Sequence, residues 1–247
     1  ATAFAAGIQT FTSNFAFTNT GQFRVQGGTG AIGVMAEYGT IAVNSGLIEV
    51  TGPPAIGIFA GTRSDITNSG TIRAIMTGSG SGGWGIGISI SNSDLETSHI
   101  VNTGRIEAQY AILDETAISP PVTSVQIVDN SGQIVGGIDL ARGDDRLTNT
   151  GSIAGDIWLG YGADVYDGAN GSYAGVLHGG FGDDLIVGGQ GAETLYGEDG
   201  DDVIRAGAGD DVVQGGRGDN LIDGGAGIDT LTYQSLTRGV ELDLATG

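Results

Sequence analysis

Apolar residues recur every nine positions in the C-terminal part of the chain. From residue 179 to residue 232 the sequence divides into six nine-residue units, each with Gly at place four and an aliphatic residue at place eight. A glycine-rich turn followed by a short strand with one inward side chain fits each unit, so two units predict one coil of a parallel β-solenoid. The aliphatic residues are Ile186, Leu195, Ile204, Val213, Ile222 and Leu231.

Place six of every unit carries a side-chain oxygen. Stacked coils put alternate units on the same edge, so these side chains lie above one another. Two carboxylates a few Å apart repel by roughly 4 kcal/mol at an effective dielectric constant near 20. The nine basic residues of the chain are all Arg and face 29 acids, so a hard divalent cation such as calcium is the natural partner. The place-six residues are Asp184, Glu193, Asp202, Asp211, Asn220 and Asp229.

Two other interpretations of the glycine-rich segment are weaker. A flexible, soluble linker would not keep an aliphatic residue in register through six units. A nucleotide-binding loop would not carry acids that repel phosphate, and no Gly-Lys-Ser/Thr sequence follows the glycines. The repeat therefore predicts a packed calcium-binding stack.

Units such as GGFGDDLIV resemble the RTX, or haemolysin-type, calcium-binding nonapeptide repeat of proteins exported by type I secretion. The resemblance implies that each ion lies between turns two units apart. It would bind both place-six side chains, the carbonyls of places two and four of one turn, and the carbonyls of places one and three of the other. The implied sets on one edge are Gly180, Gly182 and Asp184 with Gly197, Asp199 and Asp202, and Glu198, Gly200 and Asp202 with Gly215, Arg217 and Asn220. Those on the other are Gly189, Gly191 and Glu193 with Ala206, Ala208 and Asp211, and Gly207, Gly209 and Asp211 with Gly224, Ala226 and Asp229.

Two of these side chains depart from the pattern of the family. Glu193 is longer than the usual Asp, and Asn220 is uncharged, so sites that use them are expected to bind calcium weakly or not at all. Residues 233–247 resemble the strand segment that follows such stacks, which predicts a C-terminal cap.

A second repeat, Asn-Ser/Thr-Gly followed by an apolar residue two places later, occupies the rest of the chain. Its spacings of 25, 24, 34, 28 and 19 residues suit a parallel β-helix in which the Asn side chains bond amide to amide. Ordinary turns between unrelated strands are the alternative, which a second apolar segment after most motifs, such as residues 55–60, disfavours. The motifs loosely resemble coils of bacterial passenger and surface β-helices. The Asn residues are Asn19, Asn44, Asn68, Asn102, Asn130 and Asn149, with Phe23, Ile48, Ile72, Ile106, Ile134 and Ile153 as apolar partners.

The two repeats merge between residues 141 and 178. Asp145 and Asp164 occupy place six of degenerate units, and their spacing continues the acidic edge upstream of Asp184, which predicts two further ion sites. The predicted fold is all-β: a continuous parallel β-solenoid in which a right-handed β-helix (1–140) passes into a calcium-binding RTX β-roll (141–232), with a C-terminal cap (233–247). Long insertions at 76–99 and 114–125 are expected to project from it.

Charge and composition restrict the partners. Residues 1–135 hold nine acids and four Arg, a net charge of -5, and residues 136–247 hold twenty acids and five Arg, a net charge of -15. Such a surface disfavours nucleic acid and anionic membrane as partners. No apolar run could span a membrane, and the first residues do not resemble a signal peptide. With no Cys, the chain is expected to be extracellular or on a bacterial cell surface, exported without a cleaved N-terminal signal.

Catalytic motifs are lacking. Neither of the two His lies in a His-Glu-x-x-His motif, and no Gly-x-Ser-x-Gly sequence occurs. A polysaccharide-cleaving site built from Arg73, Arg105, Asp114 and Glu115 is conceivable, but solvated surface positions are the preferred interpretation. The chain is therefore expected not to be an enzyme.

The functional prediction is a structural module, of a surface-layer or adhesin-like protein, that folds and becomes rigid on binding several Ca²⁺ outside the cell. Copies of the chain itself or a cell-surface glycan are candidate partners. The alternative is the non-catalytic folding and secretion module of an exported polysaccharide-active enzyme, a lyase or an epimerase.

Overall fold

The computed structural model describes residues 5–10, 15–77, 84–91, 96–115 and 124–232, and every structural statement below concerns these residues. They form 26 β-strands and no helix. The strands are β1 (Ala5–Thr10), β2 (Ala16–Asn19), β3 (Gln22–Gln26), β4 (Ala31–Tyr38), β5 (Ile41–Asn44), β6 (Leu47–Gly52), β7 (Ala55–Thr62), β8 (Asp65–Asn68), β9 (Thr71–Met76), β10 (Gly85–Ser91), β11 (Thr97–Asn102), β12 (Arg105–Asp114), β13 (Val125–Asn130), β14 (Gln133–Asp139), β15 (Arg146–Asn149), β16 (Ser152–Ala154), β17 (Ile157–Tyr161), β18 (Val165–Asp167), β19 (Ser172–Ala174), β20 (Val176–Phe181), β21 (Leu185–Val187), β22 (Thr194–Asp199), β23 (Val203–Arg205), β24 (Val212–Arg217), β25 (Leu221–Asp223) and β26 (Thr230–Leu231).

Every strand pair is parallel, and the pairs build one long solenoid. The first sheet runs in the order β1, β4, β7, β10, β12, β14, β17, β20, β22, β24, β26, and the second in the order β2, β5, β8, β11, β13, β15, β18, β21, β23, β25. This arrangement confirms the predicted all-β parallel solenoid. Within the described part of the chain there is no helix that could cross a membrane.

The N-terminal coils have a third face, and the C-terminal coils do not. Strands β3, β6 and β9 form this face and lead into the first halves of β12 and β14, then β16 and β19. After β19 the described coils alternate between the two main sheets, and Leu177 pairs with Leu195, which pairs with Val213 eighteen residues further on. The three-sided β-helix therefore flattens into a two-sided roll.

Inward aliphatic side chains stack in columns along the whole solenoid. In the second sheet, Ile100 pairs with Val128, and the column continues downstream through Leu147 and Tyr166 to Ile186. All five are at most 1% exposed. The predicted place-eight residues divide between two columns, Ile186, Ile204 and Ile222 in the second sheet and Leu195, Val213 and Leu231 in the first.

The Asn residues of the second repeat form a continuous ladder. Asn19 Nδ2 donates to Asn44 Oδ1 at 2.8 Å, and the same bond recurs through Asn68, Asn102 and Asn130 to Asn149 at 2.7–2.8 Å. The ladder ends where Asn149 Nδ2 donates to the Ser172 carbonyl oxygen at 3.0 Å. Each amide thus supplies a donor to one neighbour and an acceptor to the other.

The insertion expected over 76–99 contains a core strand. Strand β10 lies between β7 and β12 in the first sheet, and Ile88 and Ile90 are fully buried, so this part of the segment does not project. The rest of that insertion at 78–83 and 92–95, most of the 114–125 insertion and the predicted cap at 233–247 lie outside the described residues.

Candidate metal centre

The turns that lead from the first sheet to the second form one edge of the solenoid, here called the first edge. It carries Asp145, Asp164, Asp184, Asp202 and Asn220. Each side chain from Asp164 onward accepts a hydrogen bond through Oδ1 from the backbone N–H of the edge residue one coil upstream, at 2.7–3.0 Å. The structure therefore places Asp145 and Asp164 on the same edge as Asp184, as their spacing predicts.

Five turns of the first edge share one backbone conformation. The residues four and two positions before the edge residue have positive φ in each of them. At place four glycine is also required by a close approach, because a Cβ on Gly182 would collide with the carbonyl oxygen of Gly162 in the preceding coil. The pairs, with φ in degrees, are Ala141 (62) and Gly143 (140), Gly160 (113) and Gly162 (146), Gly180 (112) and Gly182 (122), Glu198 (79) and Gly200 (155), and Gly216 (93) and Gly218 (115).

The second carboxylate oxygen of these acids is buried without a partner among the described residues. This holds for Oδ2 of Asp145, Asp164, Asp184 and Asp202 on the first edge. A buried carboxylate oxygen that accepts no hydrogen bond is costly unless a cation or a proton satisfies it. The first edge therefore presents a row of carboxylate oxygens that a bound cation or a proton would stabilise.

The place-one glycines leave space beside these oxygens. A Cβ on Gly179 would lie 2.5 Å from Asp184 Oδ2 and 2.7 Å from the carbonyl oxygen of Gly197 in the next coil. A Cβ on Gly197 would meet Asp202 Oδ2 and the Gly215 carbonyl oxygen in the same way. Because neither glycine has a Cβ, a carboxylate oxygen and a backbone carbonyl oxygen of the next coil can both lie close to the glycine, and calcium prefers donors of these two kinds.

Burial and mutual repulsion disfavour the charged form of the acids. Burial, more than the neighbouring acids, raises the pKa of Asp184 to about 8 and that of Asp202 to about 6, although each accepts a backbone hydrogen bond that opposes the shift. The same cause raises the pKa of Asp145 to about 9 and that of Asp164 to about 7. Without a bound cation, these carboxyl groups therefore favour protonation.

The predicted ligand sets of the first edge are brought together. Gly182 N–H donates to the Asp199 carbonyl oxygen at 2.8 Å, and Asp184 N–H donates to Asp202 Oδ1 at 3.0 Å. One coil further, Gly200 N–H donates to the Arg217 carbonyl oxygen at 2.9 Å, and Asp202 N–H donates to Asn220 Oδ1 at 2.8 Å. Gly180 pairs with Glu198, and Glu198 with Gly216, within the first sheet.

The second edge, formed by the turns that lead back to the first sheet, carries Glu193, Asp211 and Asp229. Glu193 N–H donates to Asp211 Oδ1 at 2.8 Å, and Asp211 N–H donates to Asp229 Oδ1 at 3.1 Å. The predicted carbonyl ligands lie in the same stacked turns. Ala208 N–H donates to the Gly189 carbonyl oxygen at 2.9 Å, and Ala226 N–H donates to that of Gly207 at 2.8 Å. Gly209 N–H donates to the Ala226 carbonyl oxygen, and Gly191 and Gly224 belong to these turns as well.

Both atypical side chains differ from the Asp residues in detail. Glu193 folds back so that its two carboxylate oxygens accept the N–H of Gly189 at 3.1 and 2.8 Å. Asn220 presents its amide nitrogen beside Gly215, where the other turns present an oxygen. Because an N–H donor repels a cation, and because the Glu193 oxygens already accept a bond, the geometry supports the expectation of weak sites at these two positions.

No group of three or more His, Asp or Glu side chains around a common point occurs in the described ranges. Each candidate site holds two place-six side chains, and backbone carbonyls must complete it. The residues fit calcium on this basis, since calcium takes six to eight oxygen ligands in flexible geometry.

The first edge continues upstream in residues that sequence reasoning missed. Thr40, Ser64, Ser98 and Gln126 are fully buried and occupy the position of the acids in earlier coils. Gln126 N–H donates to Asp145 Oδ1 at 2.6 Å, and Ser64 N–H donates to Ser98 Oγ at 3.2 Å. A signal was available, because each lies four residues before an Asn of the ladder, as does Asp145.

The four conceivable catalytic side chains are divided among three partners. Arg73 and Arg105 both form ion pairs with Glu107, at 3.2 and 3.1 Å. Asp114 accepts a hydrogen bond from Ser124 Oγ at 3.2 Å, and Glu115 accepts one from Ser89 Oγ at 2.9 Å.

Comparison with known families agrees with the stacked turns. Residues 170–204 and 196–231 match the family described as the RTX calcium-binding nonapeptide repeat, in four copies. The chain carries RTX calcium-binding repeats. These RTX repeats include the turns at Asp184, Glu193, Asp202, Asp211 and Asn220, whereas the turns at Asp145 and Asp164 lie upstream of the match. No curated protein and no solved structure matches the chain.

Proposed function

We propose that the chain is an extracellular structural module whose C-terminal roll folds and becomes rigid on binding calcium. The observation that carries the proposal is a set of buried Oδ2 atoms that have no partner among the described residues, on Asp184 and Asp202 of the first edge and on Asp211 of the second. Bound calcium would supply the positive charge that lets these acids stay ionised in the fold. Within the described residues, the arginine beside this stretch of the first edge, Arg217, pairs outward with Asp199 and so does not supply that charge.

The stabilisation expected from calcium differs between the concentrations found outside and inside a cell. For a dissociation constant of about 0.1 mM, calcium at about 1 mM stabilises each site by about 1.4 kcal/mol. At about 0.1 μM the same site contributes almost nothing. Because whole domains are stable by only about 5–15 kcal/mol, a few such sites decide whether the roll folds.

Export and a place at the cell surface form part of the same proposal. RTX repeats are typical of secreted proteins, and a metal-dependent stack would stay loose before type I export and fold outside. We propose a non-catalytic role in a surface-layer or adhesin-like protein, with copies of the chain or a surface glycan as partners. The non-catalytic assignment is supported because Arg73 and Arg105 pair with Glu107, whereas Asp114 and Glu115 accept hydrogen bonds from two different serines.

Thermal unfolding of the full chain, followed by circular dichroism in 1 mM calcium and in excess chelator, tests the proposal. We expect calcium to raise the midpoint of the C-terminal transition, whereas magnesium at equal concentration does so much less because it demands rigid octahedral geometry. Identical curves in calcium and chelator would overturn the proposal. Incubation with bacterial glycans in calcium tests the role: glycan cleavage would show an enzyme, and calcium-dependent sheets or filaments would support a surface assembly.

A further inference from the structure

The place-one residue of each first-edge turn lies five positions before the edge acid and points into the solenoid. At Gly179 and Gly197 this position has no side chain, and a Cβ there would collide with an acid Oδ2 and with a carbonyl oxygen of the next coil. The arrangement of oxygens that would bind an ion at Asp184 or Asp202 therefore depends on the absence of a side chain at place one.

Two coils upstream, leucines occupy the same position. Ile138 pairs with Ile157, and Ile157 with Leu177, so the residues two places further on, Leu140, Leu159 and Gly179, are equivalent. Leu140 and Leu159 are fully buried in the hydrophobic core. Their side chains extend inward from the point where Gly179 leaves an opening.

Two other features of the turns recur along the edge. The positive-φ positions recur at Ala141 and Gly143, Gly160 and Gly162, and Gly180 and Gly182. Asp145, Asp164 and Asp184 all accept one upstream backbone N–H through Oδ1. The two upstream turns differ from the next two at place one, where they carry leucine in place of glycine.

We propose that the place-one residue decides which turns of the first edge hold calcium: Gly179 and Gly197 open a site, whereas Leu140 and Leu159 close it. Calcium binding on this edge then begins at Asp184, and Asp145 and Asp164 serve as hydrogen-bonding members of the stack. This differs from the expectation of two further ion sites, which rested on the spacing of the acids alone. The inference rests on the proposed function, since it presupposes calcium on the first edge.

Two matched variants test the inference. In Asp164→Asn and Asp184→Asn the same isosteric change is made in adjacent turns, and Asn Oδ1 can still accept the upstream N–H. Calcium stoichiometry is measured on the full chain by isothermal titration calorimetry and native mass spectrometry. We expect Asp164→Asn to bind as many ions as the unchanged chain and Asp184→Asn to bind at least one fewer.

A gain-of-site variant gives a complementary readout. Leu159→Gly opens the space beside Asp164, and we expect one additional ion, provided that circular dichroism shows the variant folded. If it does not fold, the pair of Asn variants still decides the matter. Loss of an ion in Asp164→Asn, or no loss in Asp184→Asn, would overturn the inference while calcium binding itself stood. A chain that binds no calcium at all would instead overturn the proposed function.

Discussion

Two columns of stacked polar side chains, the Asn ladder and the first edge, run along the solenoid. They differ in how their polar atoms find hydrogen-bond partners. In the Asn ladder each amide donates through Nδ2 and accepts through Oδ1, so Asn68, Asn102 and Asn130 satisfy one another at 2.7 Å. On the first edge Asp184 and Asp202 have only acceptors when ionised. Their Oδ1 atoms take backbone N–H groups, and their Oδ2 atoms have no partner among the described residues.

This difference indicates which part of the fold depends on calcium and on pH. An amide column is complete by itself, and the first edge is also neutral in the early coils, where Thr40, Ser64, Ser98 and Gln126 occupy it. From Asp145 onward the same position carries acids. The N-terminal β-helix should therefore be stable without metal, whereas the C-terminal roll needs calcium or protons to satisfy its acids.

The largest calcium-dependent effect is expected from Asp202→Asn, because Asp202 lies in both first-edge ligand sets. Loss of the Asp184–Asp202 site should lower the free energy of unfolding by about 1.4 kcal/mol at about 1 mM calcium, and loss of the weak Asp202–Asn220 site should add less than that. Urea unfolding in calcium and in chelator measures this. Asp201→Asn removes an exposed neighbouring charge and is the control, which should change stability little. If Asp202→Asn and Asp201→Asn lowered the free energy of unfolding equally, the buried acids of the first edge would have no special role in calcium binding.

Asn102→Ala tests the ladder itself. The change leaves Asn68 Nδ2 and Asn130 Oδ1 buried without their partner, which should cost about 2 kcal/mol. We expect this loss to be the same in calcium and in chelator, as measured by thermal unfolding of the N-terminal transition. Thr97→Ala, at an exposed position of the same strand, is the control. A loss that appears only in chelator would mean that the β-helix depends on calcium as well.

Gly179→Ala is expected to remove one site by filling the space beside Asp184. The predicted loss is about 1.4 kcal/mol greater in about 1 mM calcium than in chelator, because the added Cβ also crowds the Gly197 carbonyl oxygen under both conditions. Gly21→Ala serves as the control, because a Cβ there meets nothing within 4 Å. Calorimetric titration measures the number of calcium ions bound, and the prediction is contradicted if Gly179→Ala binds as many ions as Gly21→Ala.

Stability is expected to depend on pH in opposite directions with and without calcium. The folded pKa values of Asp202, Asp164, Asp184 and Asp145, about 6, 7, 8 and 9, exceed the ordinary value of 3.8. Folding without calcium therefore takes up protons, and stability is fully present below about pH 4 and is lost as the pH rises through 6 to 9. In chelator the melting temperature should rise on acidification from pH 8 to pH 5. In calcium the ion competes with protons, so affinity should weaken over the same change.

Sequence reasoning reached the architecture because both repeats have a fixed period. The place-eight aliphatic residues and the Asn residues each report an inward position directly, and the pairing of Leu195 with Val213 and of Asn44 with Asn68 follows from the spacing. Coil length and the third face were harder to predict, since β12 and β14 each serve two faces.

The candidate site was less predictable in its upstream part. The acid spacing alone made Asp145 and Asp164 equivalent to Asp184. The difference that we propose lies in Leu140 and Leu159, because the inward direction of place one becomes clear only in the folded coil. Thr40, Ser64, Ser98 and Gln126 of the early first edge were missed because they are of three different residue types, so no repeated residue marks their position.

Hydrogen exchange of the full chain in calcium and in excess chelator, read by mass spectrometry, tests the central claim most directly. In chelator at pH 8, we predict that the amides of β21, β23 and β25 lose protection while those of β5, β8 and β11 keep it. Protection that is equal in both regions, whether calcium is present or not, would contradict the account.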